Sequence, residues 1–405
     1  MKCYVLGAGV SKSVGYPLGS ELFDAIDRFV QESGNCFDRF DYKEWGNLRL
    51  WLETNTNPIV AQAYRSKNIE HMFTVLDFAA ALRDSALWSA ALDGKSAEER
   101  ATLSAEFDNF DSEIENYQKY RSILLWALEH YLSWRHEKDL EGSKDKGWDS
   151  LRAFGEKLET GDVVITFNYD ATLERVLLGQ GRWSPKDGYG FELALQESRY
   201  DERPAQFDKS SVLILHLHGA TGWYRRPAFA PGYTPTGSGA FPCEVFGSAP
   251  LNTSICLDPL FLRGLGIHNV DACLPDLTEV EDNRHVVLHP SFLKDYETDE
   301  SGSHVFPDLW RKAAQALREA ECTYIIGYSL PKADAAALTL FLTNCNRGTA
   351  CVINPNGGVK MRLGSLFQSG GRFDGAVKFE EWVSLGCPDR VPWKPKVRVV
   401  QSVAI

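Results

Sequence analysis

Five short groups of residues in this chain combine glycine with side chains that can do chemistry. They are Gly7-Ala8-Gly9-Val10-Ser11, Thr166-Phe167-Asn168-Tyr169-Asp170, His216-Leu217-His218-Gly219, Gly327-Tyr328-Ser329-Leu330 and Asn354-Pro355-Asn356. Gly7 and Gly9 let backbone N–H groups approach a phosphate with no Cβ in the way, and a helix after the turn would offer its positive end to the same anion. The first group therefore predicts a nucleotide site. It is an incomplete G-x-G-x-x-G, because Lys12 stands where the third glycine belongs, and no second strand ending in an acidic residue follows about 20 residues on. This is not the signature of an ordinary dehydrogenase.

Each group follows an apolar, strand-like run: the one ending at Leu6, then Val163 to Phe167, Val212 to Leu217, Thr323 to Ile326 and Cys351 to Ile353, with a further run at Val286 to Leu288. Helical patterns fall between several of them, including Ala171 to Leu178, Leu309 to Ala320 and Asp334 to Cys345. Such alternation predicts an α/β fold with a doubly wound, Rossmann-like parallel sheet. In an open parallel sheet the carboxyl ends of the strands line one edge, where ligands bind, so the five groups converge on one site.

Between the first run and the second the pattern is helical. Leu22, Ile26 and Val30 mark one helix, with Gly34 as its stop; Ile69, Phe73, Leu76 and Ala80 mark another face. Tyr117, Tyr120, Leu124, Ala127, Tyr131 and Trp134 mark a longer one. The expected organisation is a discontinuous core of residues 1–34 and 150–405 with a helical insert over 35–149. Asp139 to Asp149 reads as an exposed loop, and residues 221–283, rich in Pro, Gly and Ser, as an irregular excursion or lid.

At 405 residues with a net charge of -12, the chain has ample length for a full core, and its acidity disfavours unspecific binding to nucleic acid or anionic membrane. No apolar stretch is long enough to span a bilayer, and polar residues from Ser11 onward argue against a signal peptide, so a cytoplasmic location is expected. Nine cysteines, scattered singly without a C-x-x-C pair, fit buried thiols rather than disulfides or a zinc ribbon.

Each group also has a plainer role. Asn168 and Asp170 could cap the helix that follows, and His218 could be a satisfied histidine at a strand end. Gly327 and Ser329, or Asn354 to Asn356, could be turn residues alone. His216 and His218 would share one strand face and, with His285 and His289, suggest a metal cluster, but no acidic or cysteine ligand set accompanies them.

Taken in order, these groups resemble the motifs of the sirtuin superfamily: Gly7 to Ser11 with Gly15-Tyr16-Pro17, Thr166-x-Asn168-x-Asp170, Leu217-His218-Gly219, Gly327-x-Ser329-Leu330 and Ile353-Asn354. The wording is most similar to the sirtuin-like domains of bacterial NAD-consuming antiviral defence proteins. Features of that branch are Asn168-Tyr169-Asp170, the Gly-Tyr-Ser-Leu-Pro run with Asp334 downstream, and a preceding helix carrying Trp310. Deacylating sirtuins carry a four-cysteine zinc module after the His-Gly motif, where this chain has only the widely spaced Cys243, Cys256 and Cys273. Leu18-Gly19-Ser20 replaces their aspartate-phenylalanine-arginine segment. Both departures count against zinc and against an acyl-lysine channel.

The resemblance implies NAD+ as substrate, with hydrolysis to nicotinamide and ADP-ribose where water is the nucleophile, or cyclisation where the nucleophile is intramolecular. It implies that Asn168, His218 and Asp170 are catalytic. Asn168 would orient a ribose hydroxyl or water, His218 would act as general base and Asp170 would meet the carboxamide. Gly7, Ala8, Gly9, Ser11, Pro17, Thr166, Gly219, Gly327, Tyr328, Ser329, Asp334 and Asn354 would bind the dinucleotide, Asn354 against the adenosine ribose. Such an enzyme must be gated, which implies a homo-oligomer or a separately encoded regulatory protein acting on the insert or the 221–283 excursion. A protein deacylase, an ADP-ribosyltransferase or a non-catalytic NAD or ADP-ribose sensor remain alternatives.

Overall fold

The computed structural model describes residues 1–32, 42–55, 58–83, 96, most of 117–138, 146–191, 193–195, 208–225, 245–247, 255–257, 285–287, 305–331, 334–346, 349–367 and 377–388. Five strands form its centre: β1 (Lys2–Leu6), β2 (Val163–Thr166), β3 (Leu213–His216), β4 (Cys322–Ile326) and β5 (Ala350–Ile353). They pair in parallel in the order β5-β4-β1-β2-β3. The helices whose bounds are described, beside helical residues between 117 and 138, are α1 (Gly19–Glu32), α2 (Tyr42–Thr54), α3 (Pro58–Arg65), α4 (Ile69–Arg83), α5 (Lys146–Lys157), α6 (Thr172–Gly179), α7 (Val305–Glu319), α8 (Ala335–Asn344), α9 (Gly357–Leu366) and α10 (Phe379–Ser384). This is the Rossmann-like arrangement predicted, and its strand order reverses between β1 and β4, the place where such sheets bind ligands.

Both sheet faces are covered, which is why the strands read as continuous apolar runs rather than alternating ones. In register across the sheet, Tyr4 lies opposite Val164 and Tyr324. The two tyrosine rings stack at 5.0 Å, Phe154 of α5 meets Tyr4 edge-on at 5.4 Å, and Trp382 of α10 tilts against Tyr324 at 5.7 Å. One residue further along each strand, the side chains face the other way. There Leu215 of β3 and Leu309 of α7 both close on Gly190.

Beyond the strand ends the ladder continues for one more bond at each junction. The Phe167 N–H donates to the Leu6 carbonyl at 3.2 Å, Leu217 to Thr166 at 3.0 Å, Gly7 to Ile326 at 3.0 Å and Gly327 to Ile353 at 2.9 Å. Gly9 N–H then reaches the Gly327 carbonyl at 3.0 Å. Five loops are thereby held in one rim. The turn after β1 presses so closely on the turn after β4 that a Cβ on Gly7 would lie 2.5 Å from the Tyr328 Cα, and one on Gly9 would lie 2.7 Å from the Gly327 Cα. Gly327 itself sits at φ +62.

Lys12 can occupy the third-glycine position because no long helix starts there. A single helical turn (Ala8–Ser11) passes into a 3-10 turn (Lys12–Val14), Gly15 takes φ 93, and α1 begins only at Gly19. Lys12 then turns outward to an ion pair with Glu21. The tight helix–strand packing that the third glycine normally permits is absent at this point.

Leu22, Ile26 and Val30 are buried along α1 as expected, while Gly34 lies outside the described residues. The insert does not form a separate core. Phe23 of α1 packs on Trp45 at 5.8 Å, and Phe29 packs on Tyr131 and Trp134 at 5.7 and 5.0 Å. Ile69, Phe73, Leu76, Leu124 and Ala127 join the same buried cluster; the Ala80 side chain is outside the described set. Burial of each Ile, Leu or Phe among them contributes on the order of 1.5–3 kcal/mol. From the same run, Arg135 donates to the Val14 carbonyl at 2.9 Å and lies 5.4 Å above the Tyr16 ring.

Two expected boundaries are corrected. The stretch Asp139 to Asp149 is not all loop: α5 starts at Lys146, Trp148 is buried, and Gly147 packs against the Ser13 carbonyl. Residues 139–145 lie outside the described set. The region after Gly219 is more regular than its composition suggests. Gly219–Arg225 pairs antiparallel with Ile255–Leu257 and His285–Val287, and Leu193–Leu195 pairs with Val245–Gly247. A register irregularity between Gly219 and Tyr224, with Gly222 inside it, erases the strand periodicity in the sequence. No described helix is long and apolar enough to cross a membrane.

A methyl group added at the seam between the turns has backbone in its way, so Gly9→Ala should cost about 1–3 kcal/mol. Gly46, inside α2 with nothing within 4 Å of its Cβ position, should gain about 0.5–1 kcal/mol on replacement by Ala. Urea unfolding of the two variants measures both signs; a Gly9→Ala midpoint at or above wild type would refute the seam.

Candidate functional site

The rim encloses a cleft of about 480 Å³ at the β1/β4 reversal. All predicted site residues line it except Thr166 and Gly219. Thr166 is buried behind the rim, its hydroxyl accepting the Asn168 N–H at 3.1 Å, and Gly219 opens the strand Gly219–Arg225 at φ 78. Both support the loops that reach the cleft. The insert also contributes to the wall, through Asn68, Ile69, Glu70 and Leu132, which sequence reasoning missed. They are far from every motif in the chain.

The glycine turn offers fewer free amides than its sequence implies. Gly7 and Gly9 spend their N–H groups on the Ile326 and Gly327 carbonyls, and the Val10 N–H returns to the Gly7 carbonyl at 2.9 Å. Among the described hydrogen bonds, the Ala8 N–H is the amide of the three that is not drawn into the seam. The acidic side chains lining the cleft are Glu70, Asp170 and Asp334, joined by the imidazole of His218, with no Lys or Arg among the described lining residues. The cleft is acidic.

Two aspartates precede helices and behave differently. Asp170 stands one residue before the N-cap Ala171 of α6: its Oδ1 accepts the Thr172 N–H at 3.2 Å and the Thr172 hydroxyl at 2.6 Å, while Oδ2 accepts the Ser11 hydroxyl at 2.6 Å. The Asn168 Nδ2 donates to that same Ser11 Oγ at 2.8 Å, closing a chain Asn168–Ser11–Asp170. Asp170 therefore braces the loop, and its carboxylate is largely engaged by protein donors. Asp334 sits at the N-cap position of α8 yet makes no side-chain cap bond. It forgoes about 0.5–2 kcal/mol of helix stabilisation. Its Oδ1 instead lies 3.3 Å from His218 Nε2, and its Oδ2 accepts the Tyr328 hydroxyl at 2.8 Å, with all three residues buried.

His218 is further fixed by its surroundings. Phe167 stacks on Tyr328 at 4.4 Å and meets the His218 ring edge-on at 5.0 Å. Trp310 of α7 donates to the Leu217 carbonyl at 3.2 Å, tethering the residue before His218. The Asn354 amide spans to the Tyr328 carbonyl at 3.3 Å and accepts the Asn356 N–H at 2.9 Å, tying β5 to the β4 turn. Ser329 and Leu330, the latter at φ 48, are gripped through their carbonyls by Arg362 of α9.

His216 and His218 do not share a face. β3 ends at His216, and residues 217–218 form a turn, so the two imidazoles diverge. His216 is fully buried: Nδ1 lies 3.1 Å from the Asn168 carbonyl, and Nε2 bonds to the buried carboxylate of Glu174 in α6. Burial alone would drive the imidazole toward neutrality. The Glu174 carboxylate, with smaller help from the Asn168 carbonyl and the Asp170 charge, outweighs it and holds the His216 pKa above its ordinary value. With both ring nitrogens engaged, His216 does not fit the imagined metal cluster; the His285 side chain and His289 lie outside the described set. Among the described residues no group of ≥ 3 His, Cys, Asp or Glu could hold a metal ion. Cys3, Cys345 and Cys387 are free, and burial pushes the last two thiols up to about 11, unreactive near neutral pH.

No protein-family model matches this chain, and no curated protein matches it in sequence.

Because the His216 pKa is raised, the stability given by its pair with Glu174 is complete below about pH 6.5, the ordinary histidine value, and is lost as pH climbs through the raised one. The wild-type urea midpoint should therefore step down on that alkaline limb, and Glu174→Gln should flatten the step. At pH 6, His216→Ala strands a buried carboxylate and should cost about 3–5 kcal/mol. A wild-type curve parallel to that of Glu174→Gln across the whole range would contradict the ion pair.

Proposed function

We propose that this chain is an NAD+ glycohydrolase of the sirtuin-like type. The observation that carries the proposal is the opening of the His218–Asp334 pair and Asn168 onto the same cleft as the Gly7 turn, at the strand-order reversal. Nicotinamide leaves NAD+ from a cationic glycosidic bond, so the transition state concentrates positive charge on the ribose and departure needs little acid catalysis. An acidic, partly enclosed cleft favours that charge. The cleft's lack of Lys and Arg among its described residues leaves the pyrophosphate to backbone donors, with the Ala8 N–H foremost.

The residues divide the work. Asn168, held through Ser11, orients the ribose hydroxyl or the attacking water. Asp334 fixes the imidazole of His218, which takes the proton as water adds. The bond from C1′ to the nicotinamide nitrogen breaks with its electron pair passing to the ring, which becomes neutral. Water supplies the new C1′–O bond, and its proton leaves through His218, so the products are nicotinamide, ADP-ribose and a proton. Asp170 acts by bracing the Asn168 loop rather than through a free carboxylate.

An unchecked activity of this kind would drain the NAD+ of its own cell. The proposal accordingly includes a gate, applied by self-association or a regulatory protein, and a role in antiviral defence by NAD+ depletion, which the motif resemblance supports. The helical insert is the natural place for the gate because it forms part of the cleft wall.

Purified protein incubated with NAD+ and resolved by chromatography should release nicotinamide and ADP-ribose. His218→Ala should lower kcat roughly 10²–10⁴-fold, and Asp334→Asn, which keeps shape but not charge, should fall in a similar range. Release that survives His218→Ala unchanged, or turnover of an acyl-peptide in its place, would overturn the assignment.

A further inference from the structure

We propose that His216 and Glu174 are positioning residues for Asn168, clamping its peptide from beneath the cleft; the proposal rests on reading that cleft as the NAD+-cleaving site. Asn168 lies in the loop between β2 and α6. Its own N–H is tied to Thr166 at 3.1 Å and its side-chain amide to Ser11 at 2.8 Å, both local to the rim. The third tether comes from the neighbouring strand: His216, at the end of β3, holds the Asn168 carbonyl at 3.1 Å. Its other nitrogen is locked onto Glu174 in the first turn of α6. One imidazole thus joins the strand, the loop and the helix that follows it.

The arrangement is poorly explained by stability alone. A buried ion pair adds little net stability over well-packed apolar side chains, because desolvating two charges offsets their attraction. Tyr189 and Trp223 meet the His216 ring edge-on at 5.7 and 5.6 Å, so apolar packing is already in place around it. A hydrophobic residue could fill the volume but could not hold a carbonyl at a set distance. Glu174 and Asn168 also border a chamber of about 10 Å³ together with Ser11, Thr166, Asp170 and Thr172, directly behind the cleft wall. The groups that support Asn168 form one network that faces the site on one side and the ion pair on the other.

The test uses Glu174→Gln, which is nearly isosteric, and the double variant His216→Gln/Glu174→Gln, which removes both charges together and leaves no stranded charge to block folding. In each, kcat for nicotinamide release should fall on the order of 100-fold, the cost of a misplaced reacting group, with KM little changed. In an Asn168→Ala background the same changes should bring no further fall in kcat, whereas a merely structural role would lower thermal stability and leave kcat per folded molecule intact. A second readout needs no activity. In protein isotope-labelled at asparagine, the Asn168 side-chain amide signals, identified by their loss in Asn168→Ala, should shift and merge in Glu174→Gln without ligand. Movement of those signals in a protein that releases no nicotinamide would support the clamp and overturn the activity. Unmoved signals, or a Glu174→Gln protein with wild-type kcat, would overturn the clamp and leave the activity standing.

Discussion

The structure depends on one contact, the meeting of two backbone turns without side chains between them. Where the chain leaves β1 and where it leaves β4, Gly7 and Gly9 lie against Gly327 and Tyr328 at distances that exclude a Cβ. Two amide-to-carbonyl bonds sew the turns together. Strand order reverses here, so the connections diverge and leave a crevice, and the seam forms its floor. Everything that lines the cleft is referenced to this floor: Ser11 follows it by two residues, Tyr328 belongs to it, and Asn354 is hydrogen-bonded to it.

Above the seam, Asp170, Asp334 and His218 each have a partner with a geometric task. Asp170 and Asp334 occupy similar places before helices, yet one spends its oxygens on the loop that carries Asn168 and the other on His218 and Tyr328. The aromatic stack of Phe167 and Tyr328 packs against the imidazole of His218 and fixes it beside the Asp334 carboxylate. His216 with Glu174 is a third system below the first two. The third is joined to the first through the Asn168 carbonyl, which His216 holds at 3.1 Å.

Much of this was legible in the sequence. Strands buried on both faces show as unbroken apolar runs, and a parallel sheet sends all their ends to one edge, so the clustering of the five groups followed from order alone. What was hidden had physical reasons. Glycine at Gly7 and Gly9 reads as a phosphate cradle, but the space it leaves is taken mainly by another turn, a contact across more than three hundred residues of chain that no local pattern records. Glu174 carries no local signal of its role because its partner, His216, lies 42 residues on at the end of β3. His216 and His218 suggested a shared face, and only the ending of the strand between them separates their roles. The pairing of Gly219–Arg225 was masked by its own irregularity.

The grip of Arg135 on Val14 and Tyr16 has a consequence for how the chain can be taken apart. Sequence marks residues 35–149 as a helical insert, which suggests a minimal core obtained by deletion. Yet Phe23 and Phe29 of α1 pack on aromatic rings of its helices, and the segment between Ser11 and Pro17 is held in shape by a guanidinium that belongs to them. A shortened chain would keep every motif and lose the mould that shapes the first of them. Insert and core are one machine part, and evolution could exchange the insert only together with the turn it braces.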